Sequence, residues 1–182
     1  EPNTAVLGPL NGRLESRVVF VGEAPGRFGA AATRVPFHGD RSGKNFEMLL
    51  PHARLQRENV FITNSVLCNP KNDNGHNDRP TVSELGNCSD FLREILDIMQ
   101  PSYVVTLGQI GLDALNRLAP HKLILKVHVA TVVDWRGAKV IPLYHPSARA
   151  MVRRSFSQQV LDYQKLGEIL ANGSHADEVV AS

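Results

Sequence analysis

The 182 residues carry 20 Lys and Arg against 18 Asp and Glu, a net charge of +2, with 42% apolar and 21% charged residues; this is the make-up of a globular chain with a real core, not a disordered or fibrous one. No run nears the roughly 20 apolar residues of a membrane span, no charged-then-apolar leader opens the chain, and two cysteines are too few for a disulfide framework, so an intracellular, cytoplasmic protein is expected. An isoelectric point near 8.7 leans weakly toward a polyanionic partner.

Residues 1–16 are polar and broken by Pro2, Gly8, Pro9 and Gly12, and read as a lead-in wrapping the surface. A chain that opens on Glu1 rather than methionine leaves room for native residues upstream. In 17–22, RVVFVG, a continuous apolar run predicts a strand buried on both faces. It runs straight into GEAPG, whose glycines let another molecule's atoms approach the backbone amides.

Ser42 is placed to cap a helix carrying Phe46, Leu49 and Leu50 and ending before Pro51, and NVFITN, 59–64, predicts a second strand. A polar, mobile surface loop over 69–80 follows. Thr81-Val82-Ser83-Glu84 then has the spacing of a capping box, and Leu85, Cys88, Phe91, Leu92, Ile95 and Met99 predict an amphipathic helix over 82–99. SYVVTLG reads as a third buried strand, 109–118 as a helix behind it, and HVATVVDW with AKVIPLYH as a closing strand pair around Arg136-Gly137. A last helix is expected over 156–170, and a flexible tail over 172–182.

Alternating strands and helices predict an α/β fold, a three-layer α/β/α sandwich with a central, mostly parallel sheet, formed by a single domain over 1–182. Such sheets bind ligands at the carboxyl ends of their strands. GEAPG, Asn64 and Tyr144-His145-Pro146-Ser147 all fall at such ends.

In order along the chain, VGEAPG, VPFHGDRSG, ITNSVLCNP, RPTVSELGNC, VVTLG and YHPSA resemble the motifs of the uracil-DNA glycosylase superfamily, and within it the thermophile-type families often numbered four and five. The resemblance runs from about residue 17 to 170. It implies a DNA repair enzyme that flips out uracil, hydrolyses the N-glycosidic bond without lyase chemistry and leaves an abasic site. The expected partner is DNA containing uracil or other deaminated bases, and the protein is expected to act as a monomer.

Breaking that bond develops positive charge on the deoxyribose and negative charge on the base, so the site must hold an extruded base and stabilise an anion. The resemblance gives His145 the role of donating to the pyrimidine O2, with Pro146 fixing its turn. Asn64 offers a donor for O4 and an acceptor for N3–H; cytosine presents the reverse at both atoms, at about 1–3 kcal/mol for each buried group left unpaired. Phe37 is similar to the family's aromatic that stacks on the flipped base, Gly22 and Ala24 bring backbone to that base, and Glu23 stands beside the scissile bond or holds the loop.

The superfamily's best-known branch has an aspartate where Ala24 stands and a tyrosine where Gly26 stands. Water is then oriented by Glu23, by backbone, or by nothing beyond the oxocarbenium ion's own reactivity, and bases larger than uracil are admitted. Ser147, Arg149, Arg153 and Arg154 are expected on phosphates, with Met151 or Val152 filling the gap left by the flipped nucleotide. Arg41, Ser42 and Lys44 form a second phosphate-facing group.

Relatives of this type bind a [4Fe-4S] cluster through four cysteines, two upstream of the first motif and two in the middle. Cys68 and Cys88 match the middle pair. A cubane cluster takes four ligands, so the cluster was lost, or residues before Glu1 carry the other pair, or the two are simply packed thiols. His76 lies near the place where one variant branch has a histidine that bonds to the sugar; that branch's glutamine and arginine-rich loop are not found here, and a surface position is expected. Two other functions are open: a module that senses a damaged base without cutting, which Ala24 permits, and a doubly wound nucleotide-binding enzyme, for which the glycine fingerprint and P-loop lysine are wanting.

Overall fold

The computed structural model describes residues 5–180. The apolar runs, rich in β-branched residues, form one five-stranded sheet: Val18–Gly22 (β1), Phe61–Asn64 (β2), Tyr103–Leu107 (β3), Val133–Trp135 (β4) and Ala138–Leu143 (β5), in the order β2-β1-β3-β5-β4. The first four neighbours are parallel. Only β4 is antiparallel, joined to β5 by Arg136 and Gly137, both at positive φ, the conformation of the tight turns that suit strand twist.

Helices Ala30–Thr33 (α1), Arg41–Leu49 (α2), Val82–Met99 (α3), Gln109–Leu118 (α4), Leu125–His128 (α5), Ala148–Met151 (α6) and Phe156–Val180 (α7) complete the chain. Alternation along each strand sends its side chains to opposite faces. Phe20, Ile62, Val105 and Ile141 pack with Phe46 and Leu49 of α2 and Tyr163 and Leu166 of α7. Val19, Val21, Val104 and Val140 pack with Leu92 and Leu96 of α3 and Leu112 and Leu115 of α4. The fold is thus the predicted α/β/α sandwich, and among the described residues no helix is long and apolar enough to cross a membrane.

The capping box stands as read: Thr81 Oγ1 accepts from the Glu84 N–H at 3.2 Å while Glu84 Oε2 accepts from the Thr81 N–H at 2.7 Å. Other expectations need correction. Asp40, not Ser42, caps α2, because its Oδ1 accepts the Gly43 N–H at 2.8 Å. Asn59 lies in a 3-10 turn, so β2 begins at Phe61, and 125–128 is a helical turn, so β4 begins only at Val133. Phe91 faces outward and Leu96 takes its place in the core.

Within the lead-in, Val6 and Asn11 are buried, and Asn11 Nδ2 donates to Ile62 O of β2 at 2.7 Å, so part of this segment is anchored rather than draped. Residues 1–4 of the lead-in lie outside the described residues. α7 continues through the expected tail to Val180, and residues 181–182 lie outside the described residues.

Candidate active site

The carboxyl ends of β1, β2, β3 and β5 share one rim, and strand register sets Gly22 directly beside Asn64. A Cβ at Gly22 would stand 2.5 Å from Asn64 Oδ1 and 2.9 Å from the Phe37 ring, so only glycine lets the strand touch both side chains. Asn64 is 3% exposed. Among the described residues no protein group hydrogen-bonds to its carboxamide, so a buried donor and acceptor remain available to a ligand.

Phe37 is buried and holds φ at 49°, a conformation rare for an aromatic residue and characteristic of functional sites. Arg57 holds this kink, its Nη2 donating to Pro36 O at 2.8 Å and to Phe37 O at 3.1 Å. The ring meets Phe46 at 4.9 Å and His145 at 5.4 Å between centroids.

His145 leaves the end of β5 in a turn tied from two sides. Asn45 Nδ2 of α2 donates to Pro146 O at 2.8 Å, and buried Gln159 of α7 donates to His145 O at 3.5 Å. Burial pushes the imidazole pKa down from 6.5 to about 4, against the opposing pull of the Asp40 carboxylate. The ring is therefore neutral at pH 7, and among the described residues its nitrogens hydrogen-bond to no protein group.

Two carboxylates border this site. Glu23, half-buried, has its pKa raised by burial, an effect partly offset by the guanidinium groups of Arg79 and Arg149. Asp40 turns its second oxygen, Oδ2, against the Gly26 and Gly29 backbone; a Cβ at Gly26 would come within 2.8 Å of it. Position 26 therefore makes room for Asp40. Ala24 packs against the small apolar cluster of Val66, Leu85 and Ile110, as does Cys88.

The loop expected to be mobile is a short hairpin closed by a Lys71–Asn77 bridge and clasped to GEAPG. Asn69 Nδ2 donates to Pro25 O at 2.7 Å and to Asn77 Oδ1 at 3.0 Å, and Asn77 Oδ1 also accepts the Arg27 N–H at 2.9 Å. These bonds tie the loop to the end of β1. His76 is exposed on it, with its N–H donating to Asn72 Oδ1.

Cys68 and Cys88 are half-buried free thiols. They are the only cysteines of the 182 residues, and among the described residues no three His, Cys, Asp or Glu side chains gather as a metal site. These residues do not compose the four-thiolate set of a cubane cluster.

Of the expected DNA-facing residues, Arg41 and Lys44 are exposed on α2 beside a cleft of about 510 Å³ that Phe37, Asp40 and Glu47 also line, while Ser42 is half-buried. Ser147 Oγ caps α6 by accepting the Ala150 N–H, and Arg149 and Arg153 are exposed. Val152 is 87% exposed, whereas Met151 is half-buried, its sulfur 4.0 Å from Asn45 Nδ2. Arg154 is set apart by a two-pronged bond to buried Asp162, which makes it part of the scaffold.

Asp40, Asn45, Asn69, Asn77 and Arg79 join the site without having been singled out by the sequence reading. For Asp40 a signal existed: an aspartate three positions before a helical glycine fits the N-cap pattern. For the others no local pattern exists, because their partners are distant in the chain.

A mostly parallel α/β sandwich with uncommitted polar side chains at its strand ends defines a ligand-binding protein of the class that works at the rim of its sheet. Residues 9–166 match the family model described as the uracil DNA glycosylase superfamily. The chain is 34% identical over 169 residues to a type-4 uracil-DNA glycosylase of Archaeoglobus fulgidus, covering 88% of this chain and 80% of that one. It is 39% identical over 141 residues to a type-4 enzyme of Thermotoga maritima, covering 75% and 67%, and 34% identical over 152 residues to a type-5 enzyme of Pyrobaculum aerophilum, covering 76% and 65%. The chain belongs to the uracil-DNA glycosylase superfamily.

Proposed function

We propose that this chain is a monofunctional uracil-DNA glycosylase of base excision repair, which binds DNA, turns uracil out of the stack and hydrolyses its N-glycosidic bond. The observation that carries this reading is the buried, uncommitted carboxamide of Asn64, which shares the Gly22 backbone with Phe37, whose ring in turn meets His145. Asn64 pairs with uracil O4 and N3–H, Phe37 stacks on the base, and the neutral His145 ring donates to O2 as negative charge gathers there. The C1′–N1 bond breaks with its electron pair leaving on the base. Water then adds to C1′, and the proton it gives up neutralises the departed uracil anion.

Glu23 and Asp40 together take the part of the aspartate that Ala24 replaces. The support for this reading is that Glu23 lies in the GEAPG loop at the end of β1, and that the Asp40 carboxylate is near enough to His145 to act on its charge. Arg41, Lys44, Ser147, Arg149 and Arg153 hold phosphates, and exposed Val152, rather than Met151, fills the vacated position in the duplex. We extend the reading to other deaminated bases because Gly26 stands where the superfamily's best-known branch carries a tyrosine, although Asp40 Oδ2 takes up the space a Cβ would fill there.

The chain acts as one domain and as a monomer, in the cytoplasm and on the nucleoid. Cys68 and Cys88 supply two of the four thiolates of a [4Fe-4S] cluster only in a longer chain that brings two more.

Release of free base from an oligonucleotide with one uracil, beside hypoxanthine and mismatched thymine, tests the reading, with Asn64→Ala and His145→Ala as controls. Release by the wild type and its loss in both variants are expected. Binding of uracil-DNA without release would instead identify a module that senses the damaged base without cutting it.

A further inference from the structure

Phe28 leaves 72% of its surface exposed, three residues past Pro25 on the rim that carries the candidate site. One face of the ring is covered, because the Arg27 guanidinium lies 4.9 Å from its centroid. Arg27 is itself fixed twice: its backbone N–H donates to Asn77 Oδ1 at 2.9 Å, and its Nη1 donates to Gly75 O at 2.9 Å. The hairpin that holds Arg27 is the one clasped to Pro25 through Asn69. The result is a flat ring seated on an anchored cation, with its other face open.

Arg27, Arg41, Lys44, Arg79, Arg149 and Arg153 are all exposed, and Arg79 and Arg149 lie near enough to act on Glu23 in the loop that leads into the ring, so the surface on this side suits a polyanion. A lone ring over a guanidinium suits a π-face of matching size, and every nucleobase has one.

We propose that Phe28, backed by Arg27, is a second DNA-contact point outside the base pocket, where a nucleobase of the bound strand stacks on the open face of the ring. The proposal rests on the glycosylase reading above. It gives the otherwise unexplained hairpin over 69–80 a task, that of bracing the platform.

The test uses the whole chain with Phe28→Ala and Phe28→Trp, on uracil-containing single strands and duplexes. Phe28→Ala is expected to weaken binding about 5- to 150-fold. Base release at saturating enzyme excess stays within about twofold of wild type, since the ring touches no reacting atom. Phe28→Trp is expected to retain affinity, and its indole emission is quenched by DNA; Trp135 is 7% exposed, and wild type supplies its background. The proposal is overturned if Phe28→Ala binds like the wild type or if the new indole keeps its emission at saturating DNA. It is equally overturned if Phe28→Ala only converts a dimer to a monomer in sedimentation, which would make the ring a contact between copies. Wild type that neither binds nor cuts uracil-DNA would bring down the glycosylase reading and this one together, whereas an active wild type with an inert Phe28→Ala brings down this one alone.

Discussion

The ring of Phe37 stands 5.4 Å from the imidazole of His145 at an interplanar angle of 41°, with Phe46 behind it at 4.9 Å. An apolar wall thus meets the imidazole proposed to donate to the leaving base. Phe37→Leu keeps most of the buried volume, at less than about 1.5 kcal/mol, but removes the stacking face. The expected result is kcat/KM for uracil-DNA lower by about 5- to 150-fold, with a melting temperature close to wild type.

Gly22 has a sharper requirement. An added methyl would press on Asn64 Oδ1 and on the Phe37 ring together, so Gly22→Ala should cost about 1–3 kcal/mol of stability. Single-turnover base release should fall even at temperatures where the variant is fully folded. Denaturant titration and a single-turnover assay on the same preparation separate the two effects.

His145 titrates near 4 in the folded protein and at the ordinary 6.5 when unfolded. The unfolded chain thus binds this proton more tightly below pH 6.5, and its contribution to stability, complete above that value, is lost as pH falls from 6.5 toward 4. His145→Gln should flatten that part of the stability curve. Activity should persist well below pH 6.5, because the imidazole stays neutral there; an acid limb near 6.5 in the wild type's single-turnover profile would contradict this.

Glu23 has a raised pKa, chiefly through burial, and Arg79 and Arg149 pull it back down. Removing either guanidinium leaves the carboxylate less supported. Arg79→Gln and Arg149→Gln should each shift the acid limb of the pH–rate profile to higher pH, as read in single-turnover measurements where DNA affinity does not enter.

Arg154 and its neighbours should behave in opposite ways. Arg154→Ala strands Asp162, whose side chain is 6% exposed, and should cost about 3 kcal/mol in denaturant unfolding. Arg149→Ala and Arg153→Ala should leave stability unchanged. They should weaken DNA binding and each lower the slope of log Kd against log salt by about 1.

What the sequence displays depends on how local each cause is. The four apolar strands and the Thr81–Glu84 box announce themselves because strand burial and capping are written within a few residues. The start of α2 was misplaced because Asp40 and Ser42 are both able to cap, and the earlier one reaches Gly43 N–H. Phe91 fits the helical spacing but falls on the outer side, where no element among the described residues covers it. Asn64, Phe37 and His145 were legible through motif order, yet their mutual distances were not. Arg79 and Asp40 meet Glu23 and His145 only once the strands are in register, and the Asn69–Asn77 clasp depends on a loop that is far away in sequence.

The order β2-β1-β3-β5-β4 has a temporal consequence. Asn64 reaches its place as soon as β2 pairs with β1, but His145 arrives only with β5, which must seat itself between β3 and β4. Non-local pairings of this kind form slowly. A chain emerging from the ribosome therefore has Asn64 in place before His145, and the candidate site is complete only when the final parallel strand locks in.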